Sequence, residues 1–212
     1  MLTVEDIQKI VDPHKPTFTQ CWRDAFHTYN TKYVETRIDH SPLSRALLLR
    51  DHCVANAIRS FSSLPYSDCR KVNGLFCVQL SGEPVGIDGY IAARLRKFKP
   101  NMLPSSNTTK QAKNFEKNLP VITVAKQLEL YGEPLTPPKI EPTHITIGYI
   151  HNEMWTDIEA VYATSTHGYQ SLRWVYKISD DPEDGQAVVI DMPIEPLPEQ
   201  PSRVRVKKKN IN

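Results

Sequence analysis

Tyr90-Ile91-Ala92-Ala93-Arg94-Leu95-Arg96-Lys97-Phe98-Lys99 can be read two ways, and the fold depends on which holds. Ala92 to Lys97 are all good helix formers. Yet Tyr90, Ala92, Arg94, Arg96 and Phe98 alternate with Ile91, Ala93, Leu95 and Lys97, which gives a strand two distinct sides. The residues before them decide the matter. Gly74 to Leu80 reads as a strand and Ser81-Gly82-Glu83-Pro84 as a turn, so residues 85–99 complete a hairpin. The strand reading puts a sheet at the centre of the chain.

On the N-terminal side the periodicity is helical. Thr3 with Glu5 and Asp6 starts a helix whose apolar side is Leu2, Val4, Ile7, Ile10 and Val11, and Pro13 and Pro16 stop it. Phe18, Cys21, Trp22, Ala25, Phe26 and Tyr29 recur at three-and-four spacing, predicting a second helix from Thr17 or Thr19. Ser41-Pro42 is an N-cap followed by proline at the first helical position. The helix it opens runs to about Phe61, with Leu43, Leu47, Val54, Ala57 and Ile58 as the expected core side.

On the C-terminal side a short polar helix is expected from a cap at Ser106 or Asn107 to Asn118, followed by a Pro-rich connector at 133–143. His144–Ile150, Ile158–Thr164 and Ser171–Ile178 read as strands, joined through Asn152-Glu153 and His167-Gly168 into an antiparallel meander. A short strand is expected at Ala187–Ile190. The fold class is α+β, with N-terminal helices packed on a mainly antiparallel sheet. Residues 1–190 form a single domain, helical to about residue 70 and sheet from about 71 to 190, and 191–212 form a flexible, Pro-rich, basic tail. At 212 residues such a domain buries enough surface to fold without staples.

Charge is sorted along the chain. Residues 1–93 balance at ten basic and ten acidic side chains. From Arg94 to Lys126, eight basic residues (Arg94, Arg96, Lys97, Lys99, Lys110, Lys113, Lys117, Lys126) face Glu116 alone, a net of +7. Residues 127–200 carry thirteen acids against Lys139, Arg173 and Lys177, a net of −10, and the last twelve residues return to +5. A field segregated in this way steers oppositely charged partners and says little about fold. Cys21, Cys53, Cys69 and Cys77 follow a start without a basic n-region or an apolar h-region, so free thiols and a cytoplasmic location are expected. No apolar run approaches the roughly twenty residues of a membrane span, and no membrane partner is expected.

The basic segment is the candidate site. Arg94, Arg96, Lys97, Lys99, Lys110, Lys113 and Lys117 can contact phosphates, Tyr90 and Phe98 can offer stacking surfaces, and Lys207, Lys208 and Lys209 add a basic tail. Nucleic acid and an acidic protein are both partners of the right chemistry. The alternative is an ordinary solvated face, or pairing with the chain's own acidic segment.

Catalysis finds less support. Asp88 precedes a basic strand, as in one nuclease core, but the Glu-x-Lys triplet that would supply the second metal carboxylate is missing. The seven histidines are scattered and there is no CxxC, so no metal site is marked. Neither a nucleophile elbow nor a phosphate loop is present, and no cofactor is implied. A metal-independent ribonuclease could draw on Arg94, Arg96, Lys97, Tyr90 and one of His144 or His151. Trp155, Tyr162, Trp174 and Tyr176 suit sheet core better than a ligand cleft.

The order Arg96-Lys97-Phe98, Leu103-Pro104-Ser105-Ser106-Asn107-Thr108-Thr109, Phe115, then Ile145-Thr146-Ile147-Gly148-Tyr149 and Arg173-Trp174-Val175-Tyr176 is similar to that of uncharacterised bacterial and phage proteins. Some of these are encoded beside Xre-type regulators and metallopeptidase-like antitoxins. The resemblance covers about residues 90–178 and assigns no active residue. It implies a mobile-element or toxin–antitoxin setting. The expected function is therefore a nucleic-acid-associated or partner-binding accessory protein of a bacterial or phage defence or toxin–antitoxin system. A ribonuclease-like toxin and a module docking an acidic partner are the alternatives.

Overall fold

The computed structural model describes residues 2–72, 74–105, 109–116, 142–166 and 171–179. Helices α1 (Val4–Val11), α2 (Lys15–Lys32) and α3 (Pro42–Phe61) precede strands β1 (Ser67–Val72), β2 (Leu75–Ser81) and β3 (Tyr90–Lys97). Helix α4 (Lys110–Glu116) follows, and then β4 (Thr143–His151), β5 (Ile158–Thr166) and β6 (Leu172–Lys177). The six strands form one sheet in sequence order. Every neighbouring pair is antiparallel except β3–β4, which is parallel. The fold is α+β, as the sequence implies, and residues 85–99 contain the strand that the alternation favours. The tail, the Ala187–Ile190 segment, and most of the Pro-rich connector lie outside the described residues.

Local chemistry accounts for the helix starts. Thr3 and Asp6 form a reciprocal capping box: the Asp6 N–H donates to Thr3 Oγ1 (3.1 Å) and the Thr3 N–H to Asp6 Oδ2 (3.0 Å). Pro13 does not end the helical path. It sits in a 3₁₀ turn, Asp12–His14, and Pro16 falls in the first turn of α2, where a missing N–H costs nothing. The Asp12 carboxylate then accepts the Tyr176 hydroxyl from β6, and Lys15 Nζ lies 4.5 Å from the centre of the same ring. Ser41 caps α3 through the Ser44 N–H, at 3.1 Å.

Helix α3 buries Ala57 and packs Val54 against the core as expected, but its inward side is rotated from the one the other three residues implied. Leu49, Cys53, Asn56, Ala57 and Phe61 are buried, whereas Leu43, Leu47 and Ile58 are exposed. The helix is apolar on two sides, and its neighbours select between them. Asn56 Nδ2 donates to the Cys21 carbonyl of α2 (3.1 Å), and Phe61 packs on Phe18 with ring centres 4.6 Å apart. Those contacts fix the rotation of α3, which periodicity alone cannot do.

The helices cover the sheet face that presents Val78, Leu80, Ile91, Ala93, Leu95, Ile145, Ile147, Tyr149, Val161, Ala163, Trp174 and Tyr176, and one continuous core results. Phe115 of α4 packs on the opposite face with Cys77 and Ala92. Thr109 caps α4 by accepting the Ala112 N–H at 3.1 Å, in place of the expected Ser106 or Asn107. Strand β1 was not legible, because Ser-Asp-Cys-Arg-Lys-Val has no apolar alternation. Its Asp68–Arg70 pair (2.6 Å) gives the sheet a charged edge, which discourages pairing with another chain.

The parallel pair is the tightest point of the sheet. Gly148 lies opposite Arg96, and a Cβ there would overlap the Arg96 carbonyl oxygen and come within 2.9 Å of the Phe98 ring. Its neighbour Tyr149 enters the core between Trp22 and Phe26, with ring centres at 4.6 and 5.1 Å. The Tyr149 hydroxyl is buried there without a hydrogen-bond partner, and burial raises its pKa well above the usual tyrosine value.

Two adjacent substitutions therefore act in opposite directions. Gly148→Ala forces the strands apart and lowers unfolding free energy by about 1–3 kcal/mol or more. Tyr149→Phe removes an unsatisfied buried oxygen and leaves stability equal to, or up to about 1 kcal/mol above, that of the parent. Urea titration of each variant measures both; a Tyr149→Phe protein less stable than the parent contradicts this account of the hydroxyl.

Candidate anion-binding site

Strand alternation divides the basic run between the two sheet faces. Arg94 points away from α1–α3 and is only 2% exposed, with its guanidinium carbon 5.8 Å from the centre of the Phe115 ring. His144 shares that face, stacked on Phe115 at 4.3 Å, with Nδ1 3.1 Å from the Phe115 carbonyl oxygen. Arg96 follows Arg94 on the same side and is half-buried. Arg94 and His144 thus hold α4 against the sheet. Phe98 is buried, and Tyr90 is half-buried at the far end of β3 from Lys97. Lys110 and Lys113 are exposed on α4. Lys117, Lys207, Lys208 and Lys209 lie outside the described residues.

Lys97 and Lys99 meet at a depression. Its volume is about 280 Å³, and it is lined by Lys97, Phe98, Lys99, Pro100, Ser105, Ile150 and His151. It forms where β3 and β4, running in the same direction, both end. The Phe98 N–H donates to the Tyr149 carbonyl at 3.0 Å, holding the two ends together. Beyond Phe98 the chain doubles back tightly. The Lys99 N–H bonds the Leu103 carbonyl (2.9 Å) and the Ser105 N–H bonds the Lys97 carbonyl (2.8 Å), with Met102 at φ +60° in the reversal.

Ile150 and His151 at the end of β4 supply the other wall, and the turn between β4 and β5 follows them. Asn152 organises it: its Oδ1 accepts the Thr156 N–H (2.9 Å), and its Nδ2 donates to Thr156 Oγ1 (2.7 Å). Asn30 of α2 ties the turn to the helices by donating to the Thr156 carbonyl, at 2.8 Å. Trp155 has φ +56°, a left-handed conformation that is costly for a bulky aromatic residue. The conformation brings the indole to His151, stacked at 3.7 Å and 27°, and brings Lys97 Nζ to 4.0 Å from the ring centre. Arg45 at the start of α3 is 5.8 Å from the same ring. The tryptophan thus gathers two cations, Lys97 of β3 and Arg45 of α3, around a ring stacked on the His151 imidazole.

Protonation follows from this packing. His151 Nδ1 is 2.7 Å from the Asn152 carbonyl oxygen, which can only accept, so Nδ1 carries a proton. Burial holds the His151 pKa below the usual histidine value, and Lys97 pushes the same way, against the Asn152 hydrogen bond and Glu159. Burial also lowers the pKa of Lys97. Two partly desolvated basic groups beside Lys99 and the Ser105 hydroxyl suit an anion's oxygens. The volume falls just short of usual cofactor pockets, so a phosphate or carboxylate fits better than an extended ligand.

The candidate residues in the β3 run were legible from charge alone. Arg45 and the role of Trp155 were not, because α3 and the β4–β5 turn are distant in sequence, and the return of Ser105 to Lys97 depends on the reversal at 99–103. Among the described residues no group of three or more His, Cys, Asp or Glu side chains is placed to hold a metal ion. No helix among them is long and apolar enough to cross a membrane. Compared with known proteins, the chain matches no family model, no curated protein and no solved structure.

Proposed function

We propose that this protein is a nucleic-acid-associated accessory protein that contacts backbone phosphates through the depression at the ends of β3 and β4. The observation that supports this reading best is the Lys97 ammonium held over Trp155 beside His151, in a recess that also contains Lys99 and Ser105. Fixed cations bind phosphate with less ordering cost than freely rotating surface lysines. Because the Trp155 ring is already covered by His151 and Lys97, the reading rests on phosphate contact rather than on base stacking. The toxin–antitoxin or mobile-element setting belongs to this proposal through the sequence resemblance alone.

A ribonuclease reading has less behind it. It would draw on one of His144 or His151, but His144 is buried against Phe115 under α4, and His151 lies at the opposite end of β3 from Tyr90. An acidic protein partner remains the competing occupant, and the experiment below separates the two.

Binding of labelled single- and double-stranded RNA and DNA, with and without EDTA, tests the proposal at about 50 and about 200 mM salt. The parent binds without cleavage. The Lys97→Ala/Lys99→Ala protein binds at least about tenfold more weakly, and its slope of log affinity against log salt falls by about 1.5. No binding of the parent at low salt overturns the nucleic-acid reading and transfers the depression to an acidic protein partner.

The low pKa of His151 adds a pH signature. His151 is neutral near neutrality and gains its charge only when the pH falls below the usual histidine range. Affinity of the parent therefore stays level above about pH 6.5 and rises as the pH falls below it, and His151→Ala flattens the profile. An identical profile in parent and variant removes His151 from the site.

A further inference from the structure

The outward side of α3 carries an apolar pattern that the core uses only in part. Leu43 is 62% exposed, Leu47 45% and Ile58 45%, and Val54 between them is half-buried, packed on one side against the core. Single exposed apolar side chains need no explanation, but a contiguous stripe of them marks an interaction surface. Here the spacing is four, seven and four residues, so the stripe reads the same in both directions about a midpoint between Arg50 and Asp51. At 3.6 residues per turn, Leu43, Leu47, Arg50, Asp51, Val54 and Ile58 all fall within a sector of about 100°.

We propose that α3 pairs with α3 of a second copy of this chain, antiparallel, about a two-fold axis through that midpoint. A two-fold interface brings each patch against itself, so position i of one helix faces position 101 − i of the other. Leu43 then meets the partner copy's position 58, and Leu47 meets position 54. At the axis, Arg50 of each helix meets the acidic side chain at position 51 of the other, giving two symmetric ion pairs. Among the described residues neither Arg50 nor Asp51 forms an ion pair within its own chain. The charge complementarity is what selects a second copy over an unrelated partner. An arbitrary partner would not require a basic and an acidic residue at equal distances from the centre of a palindromic apolar stripe. This inference is independent of the phosphate-binding reading, whose residues lie elsewhere, apart from Arg45 on the flank of the same helix.

Sedimentation of the full chain across a concentration series tests it. A reversible dimer is expected. Arg50→Asp and Asp51→Arg each place like charges together and weaken association at least about tenfold, whereas the Arg50→Asp/Asp51→Arg exchange restores it. Because Asp51 is exposed, Arg50 only half-buried, and neither is in the core, all three proteins keep a cooperative thermal unfolding close to the parent's. A second measurement reads the register: Leu43→Cys and Ile58→Cys proteins, mixed and oxidised, give a disulfide-linked heterodimer, and Leu43→Cys alone gives none. A chain that stays monomeric up to about 1 mM overturns the proposal. A dimer indifferent to the charge exchange, or cysteine variants that link without regard to register, overturns it equally.

Discussion

The close approach of β3 and β4 at Gly148 is the constraint on which the rest of the structure depends. A side chain at 148 would start where the Arg96 carbonyl oxygen already lies. Here alone do the two antiparallel halves, β1–β3 and β4–β6, become a single sheet. A parallel pair cannot be joined by a tight turn, so β3 must leave the sheet and return far along the chain as β4. The next residue, Tyr149, is the contact through which Trp22 and Phe26 of α2 grip the sheet, and two residues further on His151 enters the depression. Backbone packing, core packing and the candidate site are thus set within four consecutive positions.

Much of this was legible where one physical signal dominated. The hairpin of β2 and β3 could be read because the turn and the alternation agreed, although helix propensity pointed the other way. The stripe on α2 could be read because one side only is apolar. Helix α3 was misread at Leu43, Leu47 and Ile58 because two of its sides are apolar, and the choice between them is made by Asn56 meeting the Cys21 carbonyl and by Phe61 meeting Phe18. Strand β1 carries no periodic signal; its pairing with β2 and the contact of Cys69 with the core decide it. Parallel pairing of β3 with β4 was equally silent, since a glycine in a strand announces a close approach without saying what approaches.

Trp155 shows how a local cost is held in place. An aromatic residue at φ +56° persists only where its surroundings over-determine it, and such residues gather at functional sites. Here the surroundings are specific. Asn152 closes the turn through both ends of its side-chain amide, and Asn30 fixes that turn to α2. What the strain secures is the position of the indole against His151 and Lys97. A tryptophan whose only task was to fill the core could do so from ordinary strand geometry, as Trp174 does. The departure at Trp155 is therefore tied to the cations it holds.

Charge density along a sequence overstates charge density in space. Of the eight basic residues in the +7 block, Arg94 and Arg96 turn to the face under α4, while Lys110 and Lys113 ride on α4 itself, across the sheet from the helical layer. Among the described residues of the block, Lys97 and Lys99 alone converge on one recess. Each phosphate neutralised releases about 0.9 of a counterion on duplex nucleic acid, so two lysines give modest affinity on their own. On the proposed reading, a recess of that kind engages one or two phosphates and does not track a groove over many. Discrimination would then come from the shape of the recess, which the 99–103 reversal and the placement of His151 against Trp155 set, rather than from accumulated positive charge.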